Sequence, residues 1–542
     1  MRNLYLFLLL GLASLHAGAQ EIAPGVYWVY FTDKDATGYQ IDQPAQFLSE
    51  RSVNRRALQG LGIDRRDLPV DSAYLQEIGS LGVEIRHVSR WLNGAALTGL
   101  DQADFQLVLQ LPFTDTVPWE PETDDVYLPQ PGGEPRFDPP LSTAPDFSYG
   151  LAREQVELMQ TDGLHAMGYT GKGVWIGVLD AGFHNVDSLP AFIPLLQEER
   201  VMETRNYVRP VSVYRESGSH GMSVLSIMAG QWDGYLVGTA PDASYLLCMT
   251  ENTEQETRIE EIAWIEAAEY ADSLGIDVIN TSLGYSDFDG ILYDYSYEEM
   301  DGKSTFISRA ASLLASRGMV LCNSAGNEGT SPWHYITAPA DAFDILAVGA
   351  VDSTNILADF SSRGPSYDAR IKPDVTAMGK ATAVQLGNGD AGRGNGTSYA
   401  SPVMAGSAAC LWQAFPELPA QELIYRIRWS GHRSTRPDIN YGFGTPNMMY
   451  AYHTITQVPA GTVPGRMELW PNPVSDRVWI RIPEPGPGYP MVRLYDLRGS
   501  VTLAGQMELP GELILPESLP GGVYILEVRT GGHIYRGRIL KR

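Results

Sequence analysis

The sequence predicts an α/β protein. Its centre is a mostly parallel sheet covered by helices, preceded by a small α+β domain and followed by a small β-sandwich. Three observations carry this. Between 148 and 455, near-continuous apolar runs alternate with segments of helical period, as a parallel sheet buried on both faces requires. Residues 20–117 mix strand-like runs with an amphipathic helix. Residues 467–542 hold short alternating runs divided by turn signals, the pattern of a compact sandwich.

At ~150 residues per domain, 542 residues make several domains. Hydrophobic content of 44% and charged content of 19% support large cores and exclude global disorder. The net charge of −26 argues against nucleic acid as a partner, because phosphate binding needs clustered Lys and Arg.

The chain opens "MRNLYLFLLLGLASLHAGAQ". Arg2, an apolar core from Leu4 to Leu15 and the small-x-small site Ala17-Gly18-Ala19 read as a signal peptide over 1–19, cut after Ala19. The run is too short for a comfortable membrane span, and no later stretch is long and apolar enough. The expectation is an exported protein with no transmembrane helix.

In residues 20–117, "GVYWVYFTDK" reads as a strand and "PAQFLSERSVNRRALQGLG" as a helix stopped by glycine. "VEIRHVSRWLNGAALTGL" reads as paired strands. Residues 118–147 are crowded with Pro, Gly and acid, and read as an exposed linker that packs no core. In 148–455 the strands are "GVWIGVLDAG", "ASYLLCMT", "DVINTSLG", "MVLCNSAGN" and "DILAVGAVD". "IEEIAWIEAAEYADSLG" and "STFISRAASLLASRG" are helices between them. Residues 456–466 form a second linker. Cys248, Cys322 and Cys410 sit in apolar contexts, are odd in number and match no metal spacing, so they read as buried free thiols.

Functional residues in such sheets gather at the carboxyl ends of the strands. Asp180 ends a strand in "VLDAG", and Asn327 follows another in "SAGNEG". His220 opens an apolar helix in "SHGMSVLSIMAG", and Ser398 opens one in "GTSYASPVMAG". Each alone has a plainer reading. Ser398 and His220 suit helix caps, Asp180 a cap or turn, and Asn327 a left-handed turn. Their coincidence at the rim of one sheet points instead to a nucleophile with base, orienting acid and oxyanion donor.

These four segments, in the order Asp, His, Ser, resemble the active-site motifs of the subtilisin-like serine proteases, the subtilases. "GTAPDASY", "DVINTSLG", "FSSRGP" and "YGFGTPNMMYA" add to the resemblance. It implies a subtilisin-like fold and a secreted serine endopeptidase. Ser398 would be the nucleophile, His220 the general base and Asp180 its orienting acid, with Asn327 and the Ser398 backbone N–H as oxyanion donors. It implies that Ser282, Leu283 and Gly284 pair with an extended polypeptide substrate. Ser324, Ala325 and Gly326 would wall an open, apolar primary pocket. No cofactor is required for this chemistry. Structural calcium is frequent in the family, yet no loop here offers an oxygen-ligand pattern, so no metal site is placed. Ala181 and Met222 depart from the family's usual hydroxyl residues beside Asp180 and His220, which loosens the expected hydrogen bonding there.

By the same resemblance, residues 20–117 look like a subtilase propeptide, an inhibitory chaperone followed by a cleavable linker. "WPNPVSD", "YDLRG", "LPGGVYILEV" and the basic Lys541-Arg542 resemble a type IX secretion sorting domain. That implies outer-membrane secretion machinery as a partner and passage through the periplasm to the surface or medium. The rival reading is a catalytically silent surface protein that keeps the fold as a binding platform.

Overall fold

The structure is a computed structural model. It describes residues 20–121, 126–130, 137–141, 143–456, 467–482, 491–496, 501–507, 509, 511–516, 518–530 and 533–542. The signal-peptide reading of 1–19 lies outside these residues, as does the linker reading of 456–466 beyond Thr456, which ends the helix Met448–Thr456. The chain divides into two units, up to Tyr452 and from His453.

The first unit is built on a seven-stranded parallel sheet. Its spatial order is Val375–Met378, Leu346–Val351, Val320–Ser324, Val278–Thr281, Trp175–Asp180, Ser244–Met249, Val201–Asn206. All six pairings are parallel. The five strands expected from apolar runs are present. Val201–Asn206 and Val375–Met378 are additional to them. The first is a half-exposed edge strand with polar residues, and the second is only four residues long. The helices His220–Ala229, Ile259–Leu274, Phe306–Ser316 and Thr397–Ala414 cover the sheet. Cys248, Cys322 and Cys410 are buried and free.

Residues 20–115 add a five-stranded sheet and the helix Glu50–Leu58, which Ser49 caps by accepting from Ser52 N. Trp28, Tyr30 and Trp91 share one core with Trp264, Ile265 and Ile307 of the covering helices. Charges seal the same contact. Arg55, Arg56 and Arg90 converge on Asp272, at 2.5, 2.7 and 2.8 Å. Arg56 also pairs with Asp67 at 2.8 Å. Burial opposes these charges. Nonetheless Arg317 and Arg56 hold Asp67 below the ordinary carboxylate range, and Arg56, Arg55 and Arg90 do the same for Asp272.

The Pro/Gly-rich segment is less free than its composition implies. Tyr127 and Ile63 exchange backbone hydrogen bonds. Phe137 is buried and stacks edge-on against Trp412, with centroids 5.8 Å apart. Leu141 N donates to Gly168 O. Trp412 is about 21 Å along its helix from Ser398 at ~1.5 Å per residue.

The second unit holds two antiparallel sheets. One is Glu468–Trp470, Arg477–Arg481 and Gly511–Ile514. The other is Val501–Gln506, Met491–Tyr495, Gly522–Thr530 and His533–Lys541. Val478 and Ile480 of the first share a core with Leu494, Leu526, Val528 and Ile539 of the second. Among the described residues no helix is long and apolar enough to cross a membrane.

Candidate active site

Three neighbouring elements assemble the site at the carboxyl edge of the sheet. The strand Trp175–Asp180 ends on Asp180, which is fully buried. The helix His220–Ala229 begins with His220. It lies close on the Asp180 turn because residue 221 is glycine. A Cβ there would meet Gly182 O at 2.6 Å and Asp180 Cβ at 2.9 Å.

His220 Nδ1 is 2.7 Å from Asp180 Oδ1, which also accepts from Ala181 N at 2.8 Å. The acceptor role of the carboxylate puts the ring proton on Nδ1 and leaves Nε2 free. Asp180 Oδ2 is buried with no hydrogen-bond partner among the described residues. Ala181 and Met222 have no hydroxyl to offer it. The His220 side chain is 35% exposed. Burial disfavours its imidazolium, but the charge of Asp180, the bond to it and the charge of Glu251 outweigh that and raise His220 to about 9.

Ser398 is the second residue of the helix Thr397–Ala414, whose N-cap is Gly396 at φ +153°. It is therefore not the cap that its segment alone suggested, and no side-chain cap bond forms there. Ser398 Oγ donates to Ser282 O at 3.1 Å. The ring of Tyr399, its neighbour, stacks beside His220 with centroids 6.0 Å apart. Asn327 Oδ1 accepts from Thr397 N at 2.9 Å and Thr397 Oγ1 at 3.1 Å. Those two donors fix the amide's orientation and free Nδ2 to donate. A Cβ added at Gly396 would stand 3.9 Å from Asn327 Nδ2 and 3.7 Å from Ser398 Cβ. Asn327 and Ser398 thus flank one glycine.

A cleft of about 380 Å³ opens beside Ser398 and Asn327. Ser282, Leu283, Gly284, Ser324, Gly326, Asn327 and Ser398 all line it. Ala325 does not, being buried with its N–H on Val348 O. Ser324 Oγ donates to Leu283 O at 3.2 Å and ties the two walls together. The expected apolar character is corrected. Glu256, Asp287, Asp289, Glu328 and Thr337 also line the cleft, because loops outside the small-residue segments contribute most of its polar groups.

Sequence reasoning missed Glu251, Thr397, Asn280 and Ser401. Glu251 lies just past the strand Ser244–Met249, whose Met249 is in register with Asp180. The strand-end rule that finds Asp180 applies there as well. Ser401 Oγ donates to Asn280 Oδ1 at 2.8 Å, and Asn280 Nδ2 to Ser282 Oγ at 3.0 Å. Nothing local in the sequence marks that chain.

Comparison with known proteins covers the same stretch of the chain. The family described as "Subtilase family" matches residues 171–445. The domain described as "Peptidase S8 propeptide domain, Bacteroidota" matches residues 26–129. Subtilisin E of Bacillus subtilis (strain 168) is 31% identical over 278 residues, 49% of this chain and 61% of that protein. The membrane-bound transcription factor site-1 protease of Rattus norvegicus is 30% identical over 268 residues, 48% of this chain and 23% of that protein. The chain thus spans less than two thirds of either relative. The crystal structure of MycP1 from Mycobacterium smegmatis aligns at 20% identity and a TM-score of 0.45, over 61% of this chain and 90% of that one.

Proposed function

The chain belongs to the subtilase family, and from that premise we propose that it is a secreted serine endopeptidase acting through Asp180, His220 and Ser398. The observation that carries the reading is the 2.7 Å contact between His220 Nδ1 and Asp180 Oδ1, beside an Asn327 amide turned toward the Ser398 turn. In this reading Ser398 Oγ leaves Ser282 O by rotation about Cα–Cβ and gives its proton to His220 Nε2 as it attacks a peptide carbonyl. Asp180 holds the ring and stabilises the imidazolium. His220 then protonates the leaving amine, and water repeats the sequence to release the acyl group. Asn327 Nδ2 and the Ser398 backbone N–H, at the positive end of an 18-residue helix, receive the oxyanion. An extended polypeptide pairs with the backbone of Ser282–Gly284.

The remaining roles follow from the sequence motifs. Residues 1–19 direct export, the N-terminal domain is a propeptide of a zymogen, and 467–542 address the protein to outer-membrane secretion machinery and the cell surface or medium. No cofactor takes part in the chemistry.

Labelling with a fluorophosphonate probe tests the catalytic reading. The wild-type chain is expected to label and the Ser398→Ala variant to stay unlabelled while folding normally. Equal labelling of both overturns the assignment, and no labelling of either after the N-terminal domain has been cleaved off supports the silent binding platform.

A further inference from the structure

The linker that follows the N-terminal domain is held at the far side of the sheet from its own Ser398. The strands of the large sheet all run the same way. Their starts therefore share one edge, and the site lies at the other. Two anchors fix the linker at the starting edge. Tyr127 exchanges backbone bonds with Ile63 at 2.8 and 2.9 Å. The neighbouring Asp64 pairs with Arg317 at 2.8 Å, and Gln59 Nε2 donates to Gly318 O at 2.8 Å. Arg317 and Gly318 lead into the strand Val320–Ser324, and Asn327 lies beyond its other end. The second anchor is at Phe137 and Asp138. A Cβ added at Gly173 would lie 2.5 Å from Asp138 N, and Gln413 Nε2 donates to Asp138 O at 3.3 Å. Gly173 stands just before the strand Trp175–Asp180. Asp138 thus sits at the start of the strand whose last residue is the site's aspartate, about 17 Å away at ~3.3 Å per residue.

The chain between the anchors is too short to visit the site. From Tyr127 to Phe137 is ten residues, at most ~36 Å of extended backbone. The helix from Trp412 to Ser398 takes about 21 Å on the Phe137 side. The strand Val320–Ser324 takes about 13 Å on the Tyr127 side, before the turns at its ends. Nothing is left to lie along Ser282–Gly284. The cleft itself is built without the N-terminal domain. Among the described residues none from 20 to 147 lines it. Ala23, Pro24 and Val26 meet Asn252 across a neighbouring cavity of about 330 Å³. The domain's aromatic core and its arginines rest on the covering helices. The linker is meanwhile presented outward, with Val126 and Leu128 52% and 60% exposed, as segments open to proteolysis are.

We propose that one copy of this chain cuts the linker of another, and that its cleft is open while its own N-terminal domain is still attached. The inference rests on the protease reading above and names the linker of a second copy as a substrate. Ser398 of one copy attacks a linker carbonyl of the other. The C–N bond breaks, the proton held by His220 goes to the new amine, and water releases the acyl half as a carboxylate. A chain cannot serve itself without giving up its anchors. A second copy needs only an open cleft and an exposed segment to pair with it. Release of the domain is then paced by the local concentration of the protein.

The first measurement is the half-life of the uncut chain at rising protein concentration. The full-length Asn327→Ala variant is used, because its slowed turnover preserves the uncut form. Raising the concentration about tenfold is expected to shorten the half-life about tenfold, as a bimolecular step requires. Full-length Ser398→Ala chain is expected to stay intact alone and to be cut by a trace of wild type. The second measurement is fluorophosphonate labelling resolved on a gel. The uncut and cut bands of one Asn327→Ala sample are expected to label at rates within about twofold of each other. A half-life that ignores concentration, or a Ser398→Ala chain that wild type leaves whole, overturns the inference. So does an uncut band that stays unlabelled while the cut band labels, since the N-terminal domain would then close the cleft. Labelling without cutting at any concentration overturns it too, and gives the linker to a different protease. In each of these cases labelling leaves the protease reading standing. No labelling and no cutting, in the variant and in the wild type, overturn both readings together.

Discussion

Ser282 and Ser398 hold each other by reciprocal hydrogen bonds. Ser282 Oγ donates to Ser398 O at 2.8 Å, and Ser398 Oγ donates to Ser282 O at 3.1 Å. The first bond exists because of a proline four residues on. Pro402 sits inside the helix Thr397–Ala414 and has no N–H, so the carbonyl of Ser398 lacks its usual helical donor. Ser282 takes that place. Its hydroxyl is held in turn by Asn280, and Asn280 by Ser401 of the same helix. The turn that presents Ser398 is thus closed by a loop of side-chain bonds.

Ser282→Ala breaks that loop and leaves the Ser398 carbonyl without a donor. Turnover is expected to fall about tenfold, with KM changed much less, because the lost bond positions Ser398 and does not contact the peptide. Thermal unfolding should move little. A rise confined to KM would show that Ser282 acts on substrate binding instead.

Thr397→Val removes one of the two donors that orient Asn327, together with the acceptor for Gly326 N, which bonds Thr397 Oγ1 at 3.2 Å. The Asn327 amide is then free to turn. Turnover should drop by about tenfold, less than the ~10²–10³ lost when the oxyanion asparagine of a subtilisin is removed outright. Thr397→Ser should restore most of it. Failure of the serine variant to do so would mean that the methyl group matters and not the hydroxyl.

The pH profile follows from the raised His220. Its imidazolium cannot accept a proton from Ser398, so the fluorophosphonate labelling rate should climb with pH through about 9. Glu251 supports that imidazolium. It is itself pushed up to about 8, by burial and then by the charge of Asp180. It is therefore ionised mainly at the alkaline end. Glu251→Gln should label about twofold faster at pH 8.5 and equally at pH 6, because only the ionised carboxylate holds the proton on His220. Identical profiles at both pH values would remove Glu251 from the site.

Much of this architecture is legible in the sequence, for physical reasons. Buried parallel strands are apolar on both faces, so "WIGVLD" and "VLCNS" announce themselves. The strand "VMETRN" does not, because an edge strand exposes one side to water. Asp180, His220, Asn327 and Ser398 are legible because each lies in a glycine-flanked turn whose neighbours are constrained too. Thr337, which also lines the cleft, is not, since it is distant in sequence and packs against Gly284 and Gly326 only in the fold. The acidity of the cleft is hidden in the same way. Glu256 and Asp289 are 33 positions apart and meet through one backbone bond and one from Glu256 N to the Asp289 carboxylate.

The N-terminal domain should be held by charge as much as by its aromatic core. Arg56 and Asp272 are both fully buried, and Arg56 spans Asp272 and Asp67. Removing Arg56 leaves Asp272 to Arg55 and Arg90 and Asp67 to Arg317, so the loss should fall at or below the about 3–5 kcal/mol of breaking an isolated buried pair. Arg56→Met, made with Ser398→Ala to prevent self-digestion, should therefore unfold at a markedly lower temperature at pH 7. Arg90→Met, whose side chain is 11% exposed, should do so by less and serves if the first variant does not fold. The pH dependence has a definite sign. Asp67 and Asp272 are held below the ordinary carboxylate value of about 3.8. Their contribution is full above that value and is lost as pH falls through their lower folded values. The network should survive at pH 5 and fail in stronger acid. Thermal unfolding at pH 7 and at pH 3 measures it. The parent should lose more stability between those conditions than Arg56→Met, in which one of the arginines that depress both carboxylates is gone. An equal loss in the two proteins would mean that the aromatic core alone fastens the domain.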